Sequence, residues 1–133
     1  INVEKAASES TYAKFSWGFD EDFQMSQGGI FEKLNYVAQQ LNLPLVNGTI
    51  HSTDVFYSAS KNNPALVDKY SCIAAEMESF ALFANARHLK KKAGCLLTVT
   101  DIIPTHERLS AKERETALAT MIKLALETAN QLS

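Results

Sequence analysis

Residues 95–100 constrain the fold of this chain more than any other segment, because they form a short apolar run that ends at Asp101. Such a run predicts a buried strand, and strands that are apolar on both faces are typical of sheets covered by helices. Open α/β sheets bind their ligands beyond the carboxyl ends of the strands. The sequence therefore predicts that Asp101 lies at a ligand-binding edge.

Strand-like and helix-like segments alternate along the rest of the chain, which predicts an α/β fold. Strands are expected at residues 1–8, 45–50 and 72–75 as well as 95–100, with a bend near Gly48 in the second. Helices are expected at 30–41, from Pro64, after residue 78 and from Ser110. Residues 10–29 are interpreted as a loop with a short helical turn.

Two of the expected helices have recognisable signatures. Ser110 and Glu113 form the capping-box pattern at the start of the last helix. The apolar stripe predicted for that helix consists of Leu118, Met121, Ile122, Ala125, Ala129 and Leu132. The helix after residue 78 is expected to bury one face formed by Phe80, Ala81, Ala84 and His88.

The composition is that of one globular domain. The chain has 133 residues, of which 46% are hydrophobic and 21% are charged, and this is ordinary for a compact domain. The net charge of -2 provides no basic surface for nucleic acid. No apolar run approaches the roughly 20 residues of a membrane span, and the N-terminus lacks a signal-peptide pattern. We therefore expect a cytoplasmic protein without nucleic-acid or membrane partners.

The cysteines and histidines show no metal or redox pattern. Cys72 and Cys95 lie in apolar stretches without CxxC spacing, so reduced, buried thiols are expected. His51, His88 and His106 lack metal-ligand spacing. We assign the histidines neither a metal-binding nor a catalytic role.

Glu76 and Glu78 are two residues apart, on either side of Met77 and just ahead of a predicted helix. In an extended backbone their side chains would point to one face and could jointly accept hydrogen bonds from the vicinal hydroxyls of a sugar. The alternative is that both carboxylates interact with the positive end of the helix dipole. The pair alone leaves both interpretations open.

Four further side chains are candidates for a site. Asp101 is either a cap or turn residue, or a proton donor or hydrogen-bond partner to a heterocycle nitrogen. Arg114 lies in the first turn of a predicted helix, which is unfavourable for a cation and indicates a specific partner such as Asp101. Phe56 and Tyr57 either pack in the core or stack on a base.

The order and spacing of five motifs resemble the C-terminal half of bacterial hexameric purine nucleoside phosphorylases. The motifs are STDVFYS at 52–58, AEMES at 75–79, TVTD at 98–101, THE at 105–107 and AKERET at 111–116. The resemblance implies that residues 1–133 are the C-terminal part of a mixed-sheet α/β/α domain, with the N-terminal phosphate-binding half absent. A strand that starts at Ile1 without a preceding partner gives the same indication.

The resemblance implies that the candidate residues act in the reversible phosphorolysis of purine ribonucleosides or deoxyribonucleosides. Asp101 would protonate N7 of the purine, paired with Arg114, and burial could keep Asp101 protonated for this step. Glycosidic cleavage leaves negative charge on the base, so this proton would stabilise the transition state more than the ground state. The resemblance implies that Glu78 and Met77 contact the ribose and that Glu76 supports them. It also implies that Phe56 stacks on the base and that Thr100 lies near it. Phosphate is a co-substrate, and no cofactor is implied.

The sequence departs from the family pattern in two places. Ile102-Ile103-Pro104 replaces a more usual His-Ile followed by a basic or polar residue, and Ala75 replaces a common valine. Two other functions stay open, namely a nucleosidase of the same superfamily that uses water, and a non-catalytic module that binds a nucleoside or a protein. The partners expected from the resemblance are a purine nucleoside, phosphate, the N-terminal half and further copies in a hexamer.

Overall fold

The first strand, β1 (Asn2–Ala7), has a hydrogen-bonded neighbour on each side. β3 (Asn47–Ser52) is parallel to it, β2 (Phe23–Met25) is antiparallel, and β4 (Ala75–Glu76) is parallel to β3. The computed structural model describes residues 1–57 and 64–132, and within them the sheet order is β2-β1-β3-β4. The predicted mixed sheet is confirmed.

Five helices and a two-stranded ribbon complete the described part of the chain. The helices are α1 (Tyr12–Trp17), α2 (Ile30–Gln40), α3 (Ala65–Lys69), α4 (Ser79–Leu89) and α5 (Ala111–Asn130), and the ribbon pairs β5 (Asp101–Ile102) with β6 (Glu107–Arg108). All four expected helices are present. The short helical turn expected within 10–29 is α1. The strand β2 was not predicted, because three residues are too few to show the alternation of apolar and polar side chains that is typical of a strand. None of the described helices is long and apolar enough to cross a membrane.

The β1–β3 ladder contains one irregularity that controls which side chains face the core. Val3 is opposite Gly48 and Lys5 is opposite Thr49, so Glu4 is an extra residue in β1. A β-bulge of this kind shifts the side-chain alternation by one residue. Val3 and Ala6 therefore enter the same core cluster although they are three positions apart.

Gly48 has a packing role in β3. A Cβ atom at this position would lie 2.5 Å from Cδ1 of Ile73. The Ile73 side chain therefore packs directly over the backbone of residue 48, in space that a side chain at that residue would otherwise occupy.

Helices cover both faces of the sheet and form two separate apolar clusters. The first consists of Val3, Ala6, Ala13, Ile50, Phe80, Phe83 and Ala84 and lies under α1 and α4. The second consists of Ile30, Leu34, Val37, Ala38 and Leu124 and lies between α2 and α5. Asn2 faces α2, because its Nδ2 donates to the carbonyl oxygen of Phe31 at 3.0 Å. The result is the expected α/β/α arrangement.

Helix α4 buries part of the face that was predicted. Phe80 and Ala84 are buried as expected, together with Phe83, but His88 is exposed. The His88 ring instead stacks on Trp17, with the ring centroids 3.8 Å apart. The indole N–H of Trp17 also donates to Oδ1 of Asn85 at 2.7 Å. These contacts attach α1 to α4.

The strand predicted at residues 95–100 is wrong as a regular element. The segment forms one isolated antiparallel bridge, between Leu96 and Asn2. Cys95 and Leu97 pack on the α4 side, while Leu96 packs on the α2 side, as the alternation of an extended chain requires. The segment is extended but only half-buried. Cys72 and Cys95 are likewise only partly buried, and both are free thiols.

The capping box of α5 is confirmed, but its predicted apolar stripe is wrong. Ser110 Oγ accepts from the backbone N–H of Glu113, and the Glu113 carboxylate accepts from the N–H of Ser110. Leu124 and Thr128 are the buried residues of this helix. Leu118 is 38% exposed and Ile122 is 51% exposed. Much of the stripe therefore faces away from the described core.

We predict that Phe83→Ala lowers the free energy of unfolding by about 3–5 kcal/mol, because Phe83 is fully buried and the substitution leaves a cavity. Urea denaturation measures the change. The control is Leu82→Ala, which removes a partly exposed side chain from the adjacent position and should cost less than about 1 kcal/mol. Equal losses for the two variants would contradict the assignment of the buried face.

Candidate active site

The carboxyl ends of the parallel strands β1, β3 and β4 meet at one edge of the sheet. Ala7 is opposite His51, and His51 is in turn opposite Ala75. Ser52 pairs with Glu76 in the same ladder. The residues that follow these strands are therefore brought together at the edge where open α/β sheets bind ligands.

Glu76 holds the turn between β4 and α4. Its Oε2 accepts hydrogen bonds from the backbone N–H groups of Glu78 at 2.8 Å and Ser79 at 2.9 Å. Its Oε1 accepts from the hydroxyl of Ser79 at 2.6 Å. The carboxylate thus satisfies donors at the start of α4, as the helix-start interpretation predicts for this residue.

Glu78 is exposed and has a different environment from Glu76. Its Oε2 accepts from the backbone N–H of Met77 at 3.2 Å. The extended arrangement expected for the pair is wrong, because β4 ends at Glu76 and Glu78 has φ -126° and ψ -32°. Glu78 therefore presents a solvent-accessible carboxylate at the sheet edge, next to Met77, which is 39% exposed.

Phe56 and Tyr57 are both on the surface of the described chain, so neither ring packs in its core. Their exposed fractions are 74% and 89%. The two rings contact each other edge to face, with centroids 4.8 Å apart. They follow β3 along the chain, and residues 58–63 after them lie outside the described part. An aromatic face is thus accessible for stacking.

Asp101 does not lie at the end of a buried strand. It begins the exposed ribbon strand β5, directly opposite Arg108 of β6. Its Oδ1 lies 3.4 Å from Nε of Arg108, and its Oδ2 accepts a hydrogen bond from the hydroxyl of Thr100 at 2.7 Å. The burial that could keep this carboxyl protonated is not found within the described chain, where Asp101 is exposed.

The pairing of Arg114 with Asp101 is not observed. Nε of Arg114 donates to the carbonyl oxygen of Leu109 at 3.1 Å. Arg108, which sequence reasoning did not select, is the arginine that contacts Asp101. Pro104 is the signal that could have identified Arg108, because it indicates a turn after Asp101. If the chain forms a hairpin at this turn, residues before and after the turn lie opposite each other.

Cys95, in the segment that leads to Asp101, lies close enough to Glu76 and Glu78 to be affected by their charges. Burial raises the pKa of the Cys95 thiol to about 11, and the negative charges of Glu76 and Glu78 add to the effect. A thiol in this environment stays protonated at neutral pH. Cys95 therefore contributes packing at this edge and not a nucleophile.

His51 is a buried residue of the sheet edge. It is 5% exposed, and its Nε2 lies 2.6 Å from Oε2 of Glu9. The contact joins the end of β3 to the residues that follow β1. Sequence reasoning gave His51 no catalytic role, and the structure provides a structural reason for the residue.

Comparisons with known proteins identify relatives along nearly the whole chain. Residues 6–130 match the family model described as "Phosphorylase superfamily". The chain is 38% identical over 134 residues to a purine nucleoside phosphorylase DeoD-type of Mycoplasma genitalium, covering 99% of this chain and 56% of that protein. It is 34% identical over 128 residues to the protein of that name from Dichelobacter nodosus, covering 96% and 54%. The chain spans about half the length of these curated relatives.

Solved structures show the same half-length correspondence. A P knowlesi homolog of P falciparum PNP superimposes with a TM-score of 0.75 at 25% identity, covering 98% of this chain and 52% of that one. Purine nucleoside phosphorylase from Toxoplasma gondii, in complex with immucillin-H, gives a TM-score of 0.81 at 15% identity, covering 98% and 54%. At 15% identity, the similarity to the Toxoplasma gondii structure concerns the fold alone.

We predict that Glu76→Ala destabilises the protein by about 1–3 kcal/mol, because three donors around the start of α4 lose a charged acceptor. Glu78→Ala is the matched control, since the exposed Glu78 accepts from one neighbouring N–H, and its effect should be within about 0.5 kcal/mol. Chemical denaturation measures both. Similar losses would show that Glu76 does not hold the turn.

We predict that Cys95 makes stability decrease at alkaline pH. Its pKa is about 11 in the folded state against 9.0 as the reference value, so unfolding releases a proton between these pH values. The free energy of unfolding should fall by about 2 kcal/mol as the pH rises across this interval. Urea denaturation of the wild type and Cys95→Ala isolates the effect, because other titrating groups are common to both. Parallel pH profiles would contradict the prediction.

Proposed function

This chain belongs to the phosphorylase superfamily, and on that basis we propose that it forms the base and ribose side of a purine nucleoside phosphorylase site. The reaction is the reversible phosphorolysis of a purine ribonucleoside or deoxyribonucleoside to the free base and the pentose 1-phosphate. The names of its relatives support this proposal. The activity belongs to a complete domain, because the chain spans about half the length of those relatives.

The observation that carries the proposal is that Glu76 is engaged in hydrogen bonds within the protein, whereas the nearby Glu78 is exposed. Glu76 fixes the turn at the carboxyl end of β4 through three hydrogen bonds. Glu78 is thereby held at the edge with an exposed carboxylate. A carboxylate accepts two hydrogen bonds readily and is suited to the vicinal hydroxyls of a ribose. Met77, exposed beside it, offers an apolar contact for the sugar face.

In this proposal, the base binds between an exposed aromatic side chain and the proton donor. Phe56 stacks on the purine. Asp101 donates a proton to N7 while the C1′–N9 bond breaks and a phosphate oxygen forms the new bond to C1′. Thr100 orients Asp101 through the hydrogen bond already present. The phosphate is bound by the half of the domain that is not in this chain.

An arginine next to Asp101 supports the same step. Asp101 becomes a carboxylate when its proton moves to N7, and a guanidinium stabilises that charge. Arg108 occupies this place in the structure, at 3.4 Å. Arg114, the partner expected from the family resemblance, belongs to the first turn of α5, where its Nε donates to the carbonyl oxygen of Leu109.

The proposed partners are a purine nucleoside, phosphate, the phosphate-binding half of the domain and further copies of the protein. The hexameric state and the cytoplasmic location rest on the resemblance to the bacterial hexameric enzymes. Phosphate acts as a co-substrate, and the proposed reaction needs no metal or organic cofactor.

Two measurements separate this function from its alternatives. A superfamily nucleosidase would release the base at the same rate in phosphate-free buffer, whereas a phosphorylase would need phosphate. A non-catalytic module would bind the nucleoside without turnover, and Asp101→Asn would leave its binding unchanged.

We predict that Asp101→Asn lowers kcat/KM for inosine phosphorolysis by roughly 10²- to 10⁴-fold, the range expected when a general acid is lost. The assay uses a protein in which this chain is joined to a phosphate-binding half. Asp68→Asn is the control, because it changes an exposed carboxylate on α3. Near-normal turnover of Asp101→Asn would refute Asp101 as the proton donor.

A further inference from the structure

The sequence contains one Asn–Gly pair, and the structure places it at the start of β3. Asparagine is a thermally labile residue. It is most reactive before glycine, because glycine has no side chain that would obstruct ring closure at its nitrogen. Asn47 is also exposed. Asn47, followed by Gly48, is therefore a candidate for spontaneous covalent modification.

The modification is the loss of the side-chain amide of Asn47. The backbone nitrogen of Gly48 gives up its proton to water and attacks Cγ of Asn47, so that a C–N bond forms. The side-chain nitrogen takes up a proton and leaves as ammonia. Water then opens the resulting imide ring, giving aspartate by attack at the side-chain carbonyl or isoaspartate by attack at the main-chain carbonyl. The sequence of steps consumes water, releases ammonia and requires no oxidant or reductant.

The ladder between β1 and β3 restrains the attacking nitrogen. Asn2 pairs with Asn47 and Val3 pairs with Gly48, and the N–H of Asn2 donates to the carbonyl oxygen of Val46 at 2.8 Å. In a parallel ladder, this register directs the N–H of Gly48 to the carbonyl oxygen of Asn2. An extended backbone also turns the nitrogen of the next residue away from the preceding side chain. The paired strands thus oppose ring closure.

The restrained stretch is short and lies at an end of the ladder. Asn47 is the first residue of β3, and Val46 before it is 61% exposed. The extra residue Glu4 interrupts the ladder directly after the pair of Val3 and Gly48, and a bulge disrupts pairing locally. Opening of two residue pairs therefore suffices to release Gly48, and strand ends open at a lower free energy than the whole domain.

We propose that Asn47 is a deamidation site controlled by the β1–β3 ladder. Asn47 loses its amide when the first two pairs of the ladder open, and the isoaspartate that forms prevents these pairs from closing again. The site is independent of the proposed reaction, because none of the residues assigned to substrate or proton transfer takes part.

The packing around Gly48 explains why isoaspartate would block closure. In isoaspartate the main chain runs through the former side chain, so the backbone between residues 47 and 48 becomes longer by one atom. The backbone of residue 48 lies directly under Ile73, where even a Cβ atom would be 2.5 Å from Cδ1 of Ile73. A lengthened strand cannot keep this contact and the pairing with Val3 together. Aspartate leaves the main chain unchanged and adds only an exposed charge.

The first test measures amide loss in the full-length protein at neutral pH, in buffer and in increasing urea. Peptide mapping by mass spectrometry separates asparaginyl, aspartyl and isoaspartyl peptides. We expect Asn47 to react at least tenfold faster in the denatured than in the folded protein, with acceleration already below the unfolding transition. Asn42 is the internal control, since it is exposed after α2 but is followed by Leu43, and its rate should change much less.

Matched valine substitutions test control by the ladder. Val3→Ala removes packing from the fully buried residue opposite Gly48 and should raise the deamidation rate of the folded protein at least threefold. Val46→Ala shortens the exposed side chain next to Asn47 and should leave the rate unchanged. Circular dichroism confirms that both variants fold, and the urea series on the wild type gives an answer that does not depend on them.

The second test compares the two products. The isoaspartyl form, isolated by ion-exchange chromatography, should unfold at a lower urea concentration than the unmodified protein. Asn47→Asp is the matched control, because it introduces the charge without the longer backbone, and its midpoint should stay close to that of the wild type.

Four results would overturn the proposal. They are equal rates at Asn47 in the folded and the denatured protein, no preference for Asn47 over Asn42 in the denatured protein, equal effects of Val3→Ala and Val46→Ala, and an isoaspartyl form as stable as Asn47→Asp. None of these measurements uses catalytic activity, so a failure here is distinguishable from a failure of the proposed reaction.

Discussion

The parallel pairing of β1 with β3 is the constraint on which the rest of the structure depends. The extra residue Glu4 in this ladder lets Val3 and Ala6 pack under α4, while Asn2 bonds to α2 on the other face. The same pairing brings His51 and Ser52 to the carboxyl edge and positions β4 beside them. Both helical layers and the edge that carries Glu78 thus depend on one register, and a slip by one residue would exchange the core and surface faces.

Electrostatic contacts then divide the candidate site into a fixed part and an accessible part. The fixed part is the turn around Glu76, whose carboxylate is occupied by backbone and hydroxyl donors. The accessible part includes Glu78 and Phe56 at the edge and Asp101 on the ribbon. Asp101 is connected to the sheet through the half-buried segment that begins near Cys95. The proposed ribose side is therefore built on the sheet, whereas the proposed acid lies on a two-stranded ribbon.

The features that were predicted correctly from the sequence are those determined by interactions between residues close together in the chain. The period of α2, the capping box at Ser110 and the alternation of strands and helices follow from contacts within a few residues. The errors arise where distant contacts decide the outcome. The stripe of α5 and the strand at 95–100 have the sequence of buried elements but have neighbours on one side only in the described chain. The Asp101–Arg108 contact depends on a hairpin turn, which the hydrophobic pattern does not reveal.

The stacked pair of Trp17 and His88 has a practical consequence for spectroscopy. The chain contains one tryptophan, and its indole is held between α1 and α4 by the His88 ring and by Asn85. Intrinsic tryptophan fluorescence therefore reports on the contact between these two helices. A change in emission on adding a nucleoside would indicate a movement of this helical layer, and a constant emission would not show that the sheet edge is empty. An optical probe of the edge has to be introduced at that edge.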